Sequence, residues 1–94
     1  MPDVFKALAD PTRREILRVL RDGPQTSGQI AERFATSWPT VSRHLGQLRD
    51  AGLILAERDG QQIVYELNTT VFDEVVNHLM EWTRPSRAGG KRNA

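Results

Sequence analysis

The sequence predicts a mainly α-helical domain carrying one small β-hairpin, in the order α-α-α-α-β-β-α. Three observations predict it. Apolar residues recur at helical spacing through the first half of the chain, in segments bounded by good caps. The period then shortens to two around Asp59-Gly60, a strong hairpin turn signal. After Asn68 helical spacing returns and runs up to Pro85.

The first helix is expected over residues 2–9, with Val4, Phe5 and Leu8 apolar. In "DPTRREILRVLRDG", Asp10 is a good N-cap and Pro11 suits the first helical position. Ile16, Leu17 and Leu20 form its stripe, which stops before Gly23. "TSGQIAERFA" opens with a capping box, Thr26 with Gln29, and is expected to bury Ile30, Ala31 and Phe34. "SWPTVSRHLGQLRDAG" starts from the Ser37 cap and ends at Gly52, which can take the left-handed C-terminal conformation. Ile63, Tyr65 and Leu67 alternate on one side of the second strand. Asn68 or Thr69 caps the last helix, "TTVFDEVVNHLMEWTR". "PSRAGGKRNA" has almost nothing to bury, so residues 85–94 are expected to be a disordered basic tail behind one domain of residues 1–84.

The chain has 94 residues, enough for one small domain. A monomer of this size buries only about 60–65% of its unfolded surface, so it gains from a partner. The net charge is +1, so only the distribution of charge can speak of nucleic acid. Residues 53–82 set Arg58 against six acids, whereas no acid falls between Arg33 and Asp50. With no Cys, disulfides, thiolate metal sites and thiol chemistry are excluded. The N-terminus is too charged and too short for a signal peptide, and no apolar run approaches the roughly 20 residues of a membrane span. A cytoplasmic location without membrane contact is expected.

Three helices followed by a two-stranded wing is the layout of a winged helix-turn-helix. On a helical wheel Leu45 and Leu48 fall within about 40° of Val41, and the three form the buried stripe of the fourth helix. Trp38, Pro39, Thr40, Ser42 and Arg43 then occupy its N-terminal polar surface, where helix-turn-helix proteins touch base edges. Arg43 suits guanine O6 and N7, Thr40 and Ser42 offer neutral partners, and Gln47 suits adenine. A carboxylate there would repel phosphates, which accounts for the acid-free window. The wing tip offers Arg58, Gln61 and Gln62, and Arg13 lies where phosphate contacts are common. His44 is read as a phosphate contact or a satisfied interfacial His, and Trp38 as packing on the third helix or touching the DNA backbone.

"VFKALADPTRREILRVL", "IAERFATSWPTVSRHLGQLRDAGLI" and "GQQIVYELNTTVF" resemble the ArsR family of bacterial winged-helix repressors, over residues 4–72 and in family order. Within it the chain is most similar to the SdpR-like, metal-independent branch, whose members often repress their own operons. The resemblance implies a fourth helix in the major groove and a homodimer formed through the first and last helices.

The last helix points to a dimer independently. Val71, Phe72, Val75, Val76, Leu79, Met80 and Trp82 spread across about 180°, where packing on a small domain needs little more than about 100°. The excess should face a partner, joined by Val4, Phe5 and Leu8. Two-fold symmetry would set the two reading helices about 34–36 Å apart and require an inverted-repeat operator in double-stranded DNA.

Many ArsR relatives sense metals. The Cys site on the third helix is absent here. Of the family's second site, Asp-x-His followed by His-x-x-Glu or His-x-x-His, only His78 and Glu81 have counterparts, and the partner positions fall near Tyr65 and Leu67. Two ligands from one chain do not make a tetrahedral site, so no metal and no cofactor are expected. No thiol nucleophile, glycine-rich phosphate loop or enclosed His–carboxylate pair supports an enzyme. The expected function is a homodimeric, sequence-specific repressor. The alternative is a winged-helix module that binds another protein and has no specific DNA affinity. For release of a repressor without a metal, a small ligand at the dimer interface and a protein antirepressor are both open.

Overall fold

The computed structural model describes residues 3–85. Residues 1–2, and residues 86–94 of the tail expected over 85–94, lie outside them. Five helices and three strands follow in the order α1 (Val4–Leu8), α2 (Pro11–Leu20), β1 (Gln25–Thr26), α3 (Ser27–Ala31), α4 (Trp38–Asp50), β2 (Ile54–Asp59), β3 (Gln62–Leu67) and α5 (Thr69–Thr83).

The helix starts follow from their caps. Asp10 Oδ1 accepts from the Thr12 and Arg13 amides at 2.8 and 3.1 Å. Thr26 and Gln29 complete the capping box, at 3.1 and 2.8 Å. Ser37 and Asn68 stand at the N-cap positions of α4 and α5, but neither side chain caps the backbone. Instead, Ser37 Oγ lies 3.1 Å from Thr40 Oγ1. Both α1 and α3 are single turns, shorter than the apolar spacing suggests.

The end of α4 is a Schellman motif. Gly52 donates to the Arg49 carbonyl at 2.9 Å and Leu53 to the Leu48 carbonyl at 3.0 Å, with Gly52 at φ +82°. Leu48 and Leu53 are fully buried, so the motif's apolar contact is part of the core. Ile16, Leu17 and Leu20 of α2, Ile30 of α3 and Val41, Leu45 and Leu48 of α4 meet there under Ile54 and Tyr65 of the sheet. Each fully buried Leu or Ile contributes about 1.5–3 kcal/mol.

Two sequence expectations about the sheet need correction. The sheet has three strands, β1-β3-β2, because the two-residue β1 pairs antiparallel with Val64 and Tyr65. Two residues are too few for a period to register. The hairpin turn is also displaced by one residue. Asp59 pairs with Gln62, leaving Gly60-Gln61 as the loop. Gly60 has φ +67° and no non-glycine residue has positive φ among the described residues, the sign pattern of a II′ turn with glycine at its first central position.

Candidate nucleic-acid interface

Burial of Val41, Leu45 and Leu48 fixes which side of α4 faces outward. On that side Pro39, Ser42 and Arg43 are exposed and Thr40 is half-buried. Arg43 makes no hydrogen bond or ion pair among the described residues, so its guanidinium is available to an outside acceptor. Asp50, the first acid on the helix, lies 3.8 Å from Arg49 at the far end. Trp38 borders a cleft of about 330 Å³ with Ser27, Gly28 and Ala31 of α3, while 42% of it remains exposed.

Three residues expected at the DNA contact one another. The Arg13 guanidinium donates to Gln47 Oε1 at 2.6 Å and lies 3.3 Å from His44 Nδ1. It also donates to the Ala7 and Lys6 carbonyls of α1 at 2.7 and 3.2 Å. Arginine only donates, so Nδ1 of His44 accepts and its ring hydrogen belongs on Nε2. His44 is 9% exposed and is hydrogen-bonded within the chain, in keeping with the reading of a satisfied interfacial His. For Arg13, expected at a phosphate, the structure shows four acceptors within the chain. Gln47, expected to suit adenine, is exposed, and its oxygen is turned to Arg13. Arg14 completes the pattern by donating to the Leu8 carbonyl at 2.9 Å. "DPTRR" therefore joins two helices: Asp10 caps the start of α2 while Arg13 and Arg14 satisfy carbonyls ending α1. The three-residue spacing of His44 and Gln47 signals a shared flank, but nothing in the sequence says that Arg13 meets it.

The wing divides its polar residues between two faces. Strand pairing puts Ala56 and Arg58 with Ile63 and Tyr65 on one face, and Glu57 and Asp59 with Gln62, Val64 and Glu66 on the other. Arg58 is thus separated from the acids flanking it in sequence, whereas Gln62 shares their side. Gln61 sits exposed in the turn. Arg58 and Gln62, grouped by sequence, do not share a face.

The apolar residues of α1 and α5 also divide. Val4, Leu8, Val71 and Phe72, expected at a partner, are partly buried against the chain's own core. Val75 is half-buried. Phe5, Val76, Leu79, Met80 and Trp82 are exposed, and the Phe5 and Trp82 rings approach to 5.8 Å between centroids. Helix α5 contains no buried residue over its 15 positions.

His78 Nδ1 lies 3.9 Å from Glu81 Oε1 on the exposed part of α5, and the His78 ring stacks at 6.3 Å on Trp82. Tyr65 and Leu67 sit on β3, where neither supplies a metal ligand. Among the described residues no three His, Cys, Asp or Glu side chains are grouped to hold a metal ion, and no helix is long and apolar enough to cross a membrane.

A helix with an unpaired arginine on an acid-free outer side, backed by two helices and flanked by a wing, defines a DNA-binding winged helix-turn-helix protein. Residues 8–56 match the family model of a helix-turn-helix domain. The chain is 48% identical over 82 residues to the transcriptional repressor SdpR of Bacillus subtilis (strain 168), covering 87% of this chain and 91% of that one. It is 38% identical over 92 residues to the arsenic resistance transcriptional regulator ArsR1 of Pseudomonas putida, covering 89% and 72%. The crystal structure of an ArsR family transcriptional regulator, RHA00566, superposes with a TM-score of 0.79 at 34% identity, covering 84% of this chain and 87% of that one. The chain belongs to the ArsR family of winged-helix, DNA-binding transcriptional repressors.

Proposed function

We propose that this repressor acts in the cytoplasm as a metal-independent homodimer on an inverted-repeat operator, with α4 of each protomer in the major groove. The observation that carries the reading is the exposed apolar surface of Phe5, Val76, Leu79, Met80 and Trp82. Beyond Val71, Phe72 and the half-buried Val75, this 15-residue helix gains little from its own chain, and a second copy supplies the missing cover. Two-fold pairing through α1 and α5 repeats α4 on the partner, and a palindromic site answers that symmetry. Arg43 is the residue on α4 best suited to read a base, through guanine O6 and N7. Thr40 and Ser42 beside it and Arg58 on the wing supply contacts to bases or phosphates.

Metal independence rests on the donor set. The chain has no Cys, and His78 with Glu81 gives two ligands where a closed site needs four. The testing experiment is a titration of upstream duplex DNA at several salt concentrations with EDTA present, paired with sedimentation of the free protein. A dimer that binds one palindrome selectively in EDTA, with affinity falling steeply as salt rises, is the expected result. A monomeric chain, or selectivity that appears only with added metal, would overturn it.

A further inference from the structure

We propose that Arg13 is a positioning residue for DNA reading, one that fixes recognition helix α4 to α1 from inside the protein and touches no phosphate itself. The inference rests on the DNA-binding reading above and deepens it.

The side chain starts on the first turn of α2 and spans a seam between two other helices. Towards α1 it donates from Nε to the Ala7 carbonyl at 2.7 Å and from Nη2 to the Lys6 carbonyl at 3.2 Å. Towards α4 its Nη1 reaches Gln47 Oε1 at 2.6 Å and His44 Nδ1 at 3.3 Å. All three guanidinium nitrogens are therefore engaged within the chain, with four of the five N–H donors directed at its own acceptors.

The seam has little else to hold it. A cleft of about 190 Å³ lies along it, lined by Asp3, Lys6, Arg13, Gln47 and Asp50 among others. Helix α1 is one turn long and is anchored beneath by Ala7, Val4 and Leu8. Its Phe5 belongs to the surface proposed to pair protomers. Arg13 thus connects the element that sets the spacing of the two protomers to the element that reads DNA. A planar fork suits this task, because its donors have fixed directions. Lysine carries the same charge on a single nitrogen and lacks the separate nitrogens that Arg13 directs to the two helices.

The test uses full-length protein and the duplex that the wild type selects from a random-sequence library. Affinity is measured against salt for wild type, Arg13→Gln, Arg13→Lys and Gln47→Leu, at a temperature where circular dichroism shows each variant folded. We expect Arg13→Gln to weaken binding about tenfold with the salt slope unchanged, since no phosphate contact is lost. Arg13→Lys should be weakened similarly. Gln47→Leu, an exposed position, should weaken binding less, and its combination with Arg13→Gln should cost less than the two effects added.

A phosphate contact predicts otherwise: the slope of log K against log salt becomes shallower by about 0.9 in Arg13→Gln, and lysine restores affinity. Either result overturns the proposal. So does wild-type affinity in a folded Arg13→Gln protein, which would leave Arg13 a stabilising role only. A wild-type chain that selects no sequence overturns the DNA-reading basis itself, a failure seen before any variant is compared.

Discussion

Phe5 and Trp82 lie with ring centroids 5.8 Å apart and planes inclined at 39°, so the first and last helices meet at an aromatic pair. The pair is not buried by the chain, for Trp82 is 65% exposed. Beside it run Val76, Leu79 and Met80, and a surface of this kind outside the core is where a second protomer gains most. Leu79→Glu changes a side chain that the isolated chain leaves exposed, so its helical signal should be unchanged. Its sedimentation coefficient should fall to that of a monomer, and tight operator binding should go with it. Val76→Glu should behave alike. A dimer surviving both substitutions would put the interface elsewhere.

Arg43 projects from α4 with no partner among the described residues, so removing it leaves the fold without a broken contact. Arg43→Ala should keep wild-type thermal stability and lose about 1–3 kcal/mol of specific binding. It should also relax the preference at one base pair of each half-site. Competition among single-base operator variants measures that loss of selectivity directly. Equal selectivity in the variant would take the base-reading role away from Arg43.

Asp10 links the start of α2 to pH. The backbone N–H of Arg13 holds its carboxylate below the usual range against an opposing effect of burial, with the Thr12 N–H and the Arg13 charge acting in the same lowering direction. A lowered folded-state pKa stabilises the protein above the unfolded value, near 3.9, and the contribution disappears as pH falls through the folded value. Asp10→Asn should therefore be less stable than wild type at pH 7, with the gap closing below about pH 4. Asp10→Ala, which removes the cap altogether, should cost about 1 kcal/mol at neutral pH. Urea midpoints across pH measure both effects.

How legible each feature was depended on how local its cause is. The Asp10 cap, the Thr26–Gln29 box, the Val41-Leu45-Leu48 stripe and the Gly52 stop each arise within a few residues, and the structure has all four. Strand β1 was illegible because its pairing with Val64 and Tyr65 spans the chain. The same physics divided the candidate site. Arg43 was readable because the buried stripe dictates what lies opposite it. The mutual contacts of Arg13, His44 and Gln47 were not readable, because a wheel shows polar residues on a flank without showing that a side chain of another helix reaches them. On α5 the wheel gave the width of the apolar arc but not its division, with Val71 and Phe72 against the core and Leu79 and Trp82 outside.

The stop of α4 tests how the reading helix is held at its far end. Gly52 takes φ +82°, a region that costs an L-residue with a Cβ roughly 1–2 kcal/mol. Space is not the obstacle, since a Cβ there would meet only Val71 Cγ2, at 3.9 Å. The cost of Gly52→Ala is therefore conformational. It should appear as a loss of about 1 kcal/mol in the urea midpoint. Relief of the strain by moving Gly52 out of the left-handed region would break the bonds from Gly52 to Arg49 and from Leu53 to Leu48. Leu53 would then be drawn from beneath the sheet, and α4 would lose its fixed end. Operator affinity should consequently fall in Gly52→Ala even where circular dichroism reports a folded protein. Gly52→Asn, the other residue tolerated in this conformation, should recover part of both losses. Unchanged stability in Gly52→Ala would mean that the backbone at this position is not left-handed in solution.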